Sequence, residues 1–267
     1  MIENVSNENF KILNKLSRGR NLASRQSSNL ASRHSNPYLN KQHEAFDVLI
    51  EGKRLISQVL EFGLKIKSLY IKNDKIESFN HLIDKCQCPT YSLTEKQANI
   101  LTETKSLSGI FALVSFQTQP IKNFNKLLYL NKISDPGNLG SIIRTASVFD
   151  IDGIVLDDGC CDISNSKVIR ASLGAVFVVP MLKVDEFWLQ ERTEKLFIAH
   201  SSKGISINEI NFDSIPYIII LGSEAHGVST DINNLSHQKV HISMQGKMQS
   251  LNVAMAAGLF MYEMNKT

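Results

Sequence analysis

KLLYLNKISDPGNLGSIIRTASVFDIDGIVL, residues 126–156, decides the fold. An apolar strand over Lys126–Ile133 runs into Asp135-Pro136-Gly137-Asn138-Leu139-Gly140, whose proline and two glycines make a tight turn into a helix. Leu139, Ile142, Ile143, Ala146 and Phe149 recur at helical spacing and form one apolar stripe. Gly153–Leu156 is the next strand. Strand, loop, helix and strand in that order predict a parallel pair joined by a crossover, and therefore an α/β fold with a parallel sheet. A helix start of this kind presents backbone N–H groups and a positive dipole end, which suit an anionic or polar ligand. A turn that only connects two elements would use the same residues. Arg144 falls opposite the apolar stripe and reads either as a solvated arginine or as a guanidinium aimed at a phosphate across a cleft.

The same grammar continues toward the C-terminus. Strands are expected at Ala175–Pro180, Leu196–His200, Tyr217–Leu221 and Val240–Ser243, and a last helix over 250–264. In YIIILGSEAHGV (217–228) the apolar run reads as a strand buried on both faces. It ends in Gly222-Ser223-Glu224, where glycine lets a ligand approach the backbone and Glu224 supplies a carboxylate. ISMQGKMQSLN (242–252) leads into VAMAAGLFMYE (253–263). Ser250 reads as the N-cap, with Asn252 in the first turn. The helix is apolar on nearly every side, so burial within the chain or in a subunit interface is expected. Gly246-Lys247 lacks the spacing of a phosphate-binding P-loop.

The N-terminal half is a smaller α/β unit. Strands are expected at Phe46–Ile50, Ser68–Ile71 and Gly109–Phe116, and helices at Gly52–Phe62, Ser78–Lys85 and Thr94–Leu101. Pro120 to Asn125 reads as a linker. The expected division is a basic flexible segment over 1–37, a first domain over 38–120 and a second over 121–267. Within the first segment a short helix (Asn9–Leu16) precedes a Ser/Asn/Arg-rich stretch at 18–37 with NLASR twice.

The charge of +3 is unevenly spread: residues 1–36 carry +4, residues 37–120 carry +1 and the remainder −2. A basic arm suits phosphate, and a solvated tail is the plainer reading. Composition is that of an ordinary globular chain, 43% hydrophobic and 21% charged, with no run long enough to span a bilayer. The N-terminus lacks a signal-peptide pattern, so a cytoplasmic protein is expected. Cys86, Cys88, Cys160 and Cys161 have no zinc-site spacing and read as reduced thiols, and His237/His241 lack the glutamate of a HExxH helix. No metal is expected.

Three segments taken together carry a specific resemblance. NKISDPGNLGSIIRTASVFDIDGIVL (131–156), ILGSEAHGVS (220–229) and ISMQGKMQSLNVAMAAG (242–258) resemble, in order and separation, the three signature motifs of the SpoU (TrmH-like) RNA 2′-O-ribose methyltransferases. The intervening SNSKVIRASLGAVFVVP (164–180) is also similar to family sequence. VLIEGKRLISQVL (48–60) and SLSGIFALVSF (106–116) resemble the L30e-like substrate-binding domain of the ribosomal RNA members. The Ser/Arg-rich stretch, Ser223 for a frequent Asn, Ala225 for a frequent Gly and Ser243 for a frequent Pro depart from the pattern.

The resemblance implies a catalytic domain with a C-terminal trefoil knot, a feature that pattern reading would not propose. It implies S-adenosylmethionine held by the loops near His200–Gly204, the Leu221-Gly222 turn and Ile242 to Leu251. Backbone groups of Gly222, Ile242 and Leu251 would contact the cofactor, and Leu221 and Met244 would line its pocket. Arg144 matches the family's proposed base; a phosphate oriented by it is the alternative. Asn138, Glu224, Ser250 and Asn252 match the other polar active-site positions. The implied partners are RNA, most simply large-subunit ribosomal RNA, and a second copy through the C-terminal helix. A transfer RNA substrate, or an inactive RNA-binding paralogue, are the alternatives.

Overall fold

The computed structural model describes residues 2–17, 45–103, 108–185, 187–212, 215–223, 227–235, 237–248 and 250–266. Its first sheet is built from β1 (Glu3–Asn4), β2 (Phe46–Glu51), β3 (Ile66–Lys72), β4 (Thr90–Leu93) and β5 (Ile110–Phe116), in the order β1-β4-β3-β5-β2. β1, β4 and β3 run parallel, and β5 is antiparallel to both β3 and β2. Helices α1 (Asn7–Ser17), α2 (Lys53–Glu61), α3 (Asn80–Cys86) and α4 (Glu95–Leu101) complete this half. α4 starts where the sequence demands it: Thr94 and Gln97 form a reciprocal capping box, which satisfies two amide groups that the helix itself leaves open.

Within 1–37 the short helix expected over Asn9–Leu16 is present as α1. β1 adds an edge strand, and α1 buries Leu13 and Leu16 against Leu49, Tyr70, Leu101 and Phe111. The Leu13/Leu16 spacing places both side chains on one helical face, and burying that face outweighs the polar residues around it. The repeat at 18–37 lies outside the described residues. The strand over Thr90–Leu93 was not anticipated, because four residues following Pro89 give too short a pattern to distinguish from a loop.

The second sheet has seven strands, all parallel to their neighbours: β6 (Lys126–Asn131), β7 (Gly153–Leu156), β8 (Met181–Lys183), β9 (Lys195–Ala199), β10 (Ile205–Ser206), β11 (Tyr217–Gly222) and β12 (Gln238–His241). Their order is β10-β12-β9-β11-β6-β7-β8. With α5 (Pro136–Phe149), α6 (Ser166–Ala171), α7 (Thr230–Asn233) and α8 (Val253–Met264), the sheet is covered on both faces. Leu128, Leu130, Ile219 and Leu221 point to the face packed by α5 and α8. Leu127, Tyr129, Ile218 and Ile220 point to the other, under Leu189 and Ile232. Successive side chains alternate across a strand, so only a continuous apolar run fills both faces.

One expectation fails between the sheets. Ala175–Pro180, read as a strand from its β-branched and aromatic residues, is a 3₁₀ turn over Ala175–Phe177. Its residues plug the junction between the halves: Phe177 is buried and lies against Phe116 at 5.3 Å between ring centroids. Packing has overridden propensity. The segment over 120–125, read as a linker, is irregular, and its Ile121 and Phe124 pack partly buried against the second sheet. The halves are further tied by Arg170 of α6, which bonds Glu103 at 2.6 Å, and by Ser166, which donates to the same carboxylate oxygen. Among the described residues no helix is long and apolar enough to cross a membrane.

Candidate active site

Parallel strands deliver all their carboxyl ends to one edge of the sheet, and a ligand cleft belongs there. At the ends of β9, β11 and β12 the structure has a cavity of about 600 Å³. Six residues expected at a site line it together: Leu221, Gly222, Ile242, Met244, Ser250 and Leu251. His200, Lys239, Val228 and Phe260 join them. The first lies in the loop implicated by the resemblance but had no individual role; Val228 falls in the second motif and Phe260 in the last helix, neither with a site role, and Lys239 belongs to no motif. The volume falls in the range of cofactor sites, and the lining mixes apolar side chains with a few polar groups, a donor set suited to a nucleoside bearing an amino-acid arm.

Gly222 serves the chain before it serves a ligand. A Cβ there would collide with the backbone of Gly227, because the turn folds back so that the Gly227 N–H donates to the Ser223 carbonyl at 2.8 Å. Glu224 lies outside the described residues. The turn's far end is fixed by Asn131, at the carboxyl end of β6. The Asn131 side-chain oxygen accepts the Ser229 N–H at 2.8 Å, and its amide donates to Asp157 just beyond β7. The other oxygen of Asp157 accepts from the N–H groups of Lys132 and Gly159. Cys160 completes the arrangement, donating its thiol to the Leu130 carbonyl. Burial pushes that thiol up to about 12, so it is a structural group and not a nucleophile.

The helix starts differ from expectation in an instructive way. At the N-terminus of α5 its own Asp135 accepts the Asn138 N–H at 2.7 Å and so places a carboxylate there. The cap of α8 is Asn252, not Ser250; its side-chain oxygen accepts from the Ala254 and Met255 N–H groups. Ser250 is thereby left ahead of the helix, lining the cavity. The Asn252 amide then donates to the Asn138 side-chain oxygen at 3.0 Å, which ties the starts of α5 and α8 together beside the cavity. Arg144 projects from the exposed side of α5, and its guanidinium has no bonded partner among the described residues. It does not line the cavity.

His200 closes the turn after β9. Its Nδ1 accepts the N–H groups of Ser202 and Lys203, each at 3.1 Å. Burial first, then Lys203, Lys239 and His241, hold its pKa below the ordinary imidazole value. The neutral ring is therefore the one that fits the fold, and its contribution is present above about pH 6.5 and lost as the pH falls below that toward the lowered native value.

Two measurements follow. Asn131→Ala leaves a carboxylate oxygen and the Ser229 N–H without partners in a buried place; it is expected to cost about 2–4 kcal/mol in urea unfolding, with faster hydrogen exchange at the Ser229 amide. Acidification is expected to release the Ser202 and Lys203 amides: their exchange protection, once corrected for intrinsic pH dependence, drops as the pH falls through the native pKa of the ring, which lies below the ordinary imidazole value. Unchanged protection would show that the ring does not hold the turn.

Residues 125–262 match the model of the SpoU rRNA Methylase family. The 23S rRNA (guanosine(2553)-2′-O)-methyltransferase RlmP of Bacillus subtilis (strain 168) is 30% identical over 222 residues, covering 81% of this chain and 87% of the relative. Among solved structures, an AdoMet-bound rRNA methyltransferase from Sinorhizobium meliloti matches 98% of this chain and 96% of its own, with TM-score 0.73 and 21% identity. The SpoU methyltransferase AviRb from Streptomyces viridochromogenes, in complex with AdoMet, matches 97% of each chain, with TM-score 0.73 and 21% identity. At that identity the two structures speak for the fold alone, and the fold agrees over both halves. With the family model spanning more than half of the chain, including the whole second sheet, and a relative alike over most of the length, the chain belongs to the SpoU rRNA methylase family.

Proposed function

We propose that this protein transfers a methyl group from S-adenosylmethionine to a ribose 2′-hydroxyl of RNA, with large-subunit ribosomal RNA as substrate. The observation that carries the reading is the cavity at the carboxyl ends of β9, β11 and β12, beside the bonded pair Asn138–Asn252. The family membership and the similarity to a 23S rRNA 2′-O-methyltransferase support the choice of reaction and of RNA. When bound, the cofactor supplies a methyl already activated by its sulfonium. What remains for the chain is to hold oxygen, methyl carbon and sulfur in line and to help the hydroxyl proton leave.

The residues divide as follows. Leu221, Gly222, Ile242, Met244 and Leu251 enclose the cofactor. Asn138 and Asn252 hold the helix starts in register and, with Ser250 and Glu224, position the ribose. Arg144 offers a planar fork of N–H donors and no acceptor atom, so it acts by fixing an RNA phosphate beside the attacking hydroxyl. The loops after β9, β11 and β12 are threaded as the family's trefoil knot. Supporting this, β11 enters the sheet between β6 and β9, after both are laid down, and the chain leaving β12 crosses back to α8 on α5. The first half reads the RNA, with the exposed Lys53 and Arg54 at the start of α2 among its contacts; phosphate neutralisation of this kind dominates nucleic-acid affinity.

The chain acts as a homodimer through its last helix. α8 buries Val253, Ala257, Phe260, Met261 and Met264 within the chain, so the expectation of burial on every side fails for a single copy. Met255, Leu259 and Tyr262 stay 64%, 41% and 52% exposed. Val148 of α5 is also exposed, and Tyr262 meets Phe149 edge-on, so the patch spans two helices. An apolar patch of this kind marks an interface.

Arg144→Ala is expected to lower methyl transfer by about a hundredfold or more while calorimetry shows nearly unchanged affinity for the cofactor; near-normal turnover would remove Arg144 from the chemistry. A 2′-O-methylation map of cellular RNA with and without the gene tests the substrate class. Leu259→Glu is expected to convert the dimer to a monomer in light scattering at micromolar concentration. A parent chain that is itself monomeric there would overturn the interface.

A further inference from the structure

His200 is the lining residue whose chemistry the assignments above leave unused. We propose that it reads the adenosine part of the cofactor, donating its Nε2–H to an uncharged acceptor there, an assignment that rests on the cavity being the S-adenosylmethionine site.

The tautomer follows from geometry. Two backbone N–H groups, of Ser202 and Lys203, converge on Nδ1 at 3.1 Å each. A nitrogen that accepts cannot carry a proton, so in the neutral ring the proton sits on Nε2. The ring is also fixed in place. The His200 N–H donates to the Val240 carbonyl at 2.8 Å. Gly204, at φ 98°, brings the end of the turn so close to β12 that a Cβ would collide with the Lys239 carbonyl. With Nδ1 committed to the turn, Nε2 is the ring's free donor, on a residue that lines the cavity.

The titratable groups facing the ring are Lys203 of its own turn and Lys239 and His241 of β12. They disfavour a second proton on the imidazole, so the donor it offers is neutral. Sheet order says which part of the ligand lies there. β9 and β12 are on one side of β11; β6 and α5, with the Asn138–Asn252 pair, are on the other. The methyl must be delivered on the β6 side. The nucleoside, remote from it, falls to the β9–β12 side, where ring nitrogens and ribose oxygens are acceptors matched to a neutral N–H.

The test uses the full chain, with S-adenosylhomocysteine and 5′-methylthioadenosine as probes in calorimetry. The second probe keeps the adenosine and lacks the amino-acid arm. His200→Asn places its side-chain oxygen where Nδ1 was, so the turn keeps its acceptor, but nothing replaces Nε2. The expected result is a melting temperature within about 2 °C of the parent and affinities for both probes weakened by the same factor, about tenfold. A variant that binds both as the parent does would show that His200 only caps the turn. Weakening for S-adenosylhomocysteine alone would place the contact on the amino-acid arm. Either result overturns the proposal. Nitrogen NMR of the parent gives a variant-free reading: an Nε2–H tautomer whose proton signal moves when S-adenosylhomocysteine is added is expected. An Nδ1–H tautomer or an unmoved signal overturns it. A parent that binds neither probe would remove the cofactor reading itself, an outcome distinct from binding by the parent that His200→Asn leaves intact.

Discussion

The side-chain amide of Asn131 is bonded on both sides, to Asp157 beyond β7 and to the backbone of Ser229 beyond β11. The site depends on this clamp. Seven parallel strands send their loops out of one edge, and the strand ends are buried; Asn131 itself is 2% exposed. Backbone groups at such exits cannot reach water and must find partners in the protein. One carboxylate and one amide satisfy the exits of β6, β7 and the β11 loop together. A network of this kind is strong when complete and costly when broken, so it fixes the spacing of the loops around the cavity without occupying it.

The neighbouring polar residues show the same economy. Asn252 caps α8 with its oxygen and reaches Asn138 with its nitrogen. His200 holds its turn with one nitrogen and leaves the other to the cavity. In each case one atom of a planar polar group is spent on the backbone, which locks the orientation of the other. A positioned donor costs little reorganisation when a ligand arrives, which is the structural content of preorganisation.

Much of this was legible from residue order. The strand at 217–222 stands out because four apolar residues in a row admit no exposed face. The helix over 136–149 announces itself by Asp135, Pro136 and the stripe that follows. The motif residues Leu221, Gly222, Ile242, Met244, Ser250 and Leu251, which the resemblance marks, share one cavity. Other features were hidden. Ala175–Pro180 has strand composition, but its place at the junction against Phe116 makes it a turn. Ser250 and Asn252 are equally good caps by type, and only the direction of α8 selects the second. Asn131 and Asp157, 26 residues apart, carry no local mark of their pairing.

The sequence by itself determined what depends on neighbours along the chain: the alternation of strand and helix, the parallel sheet, and the family motifs with the chemistry they imply. Tertiary structure decided which polar atoms are spent on holding loops and which are left to face the cavity. It decided too that α8 keeps one apolar face outside, and that Asp135 caps the start of α5 through the Asn138 N–H. The physical reason is that a hydrogen bond or a buried face requires two partners. Periodicity along a chain reports each partner's character, while only the folded arrangement brings the two within reach.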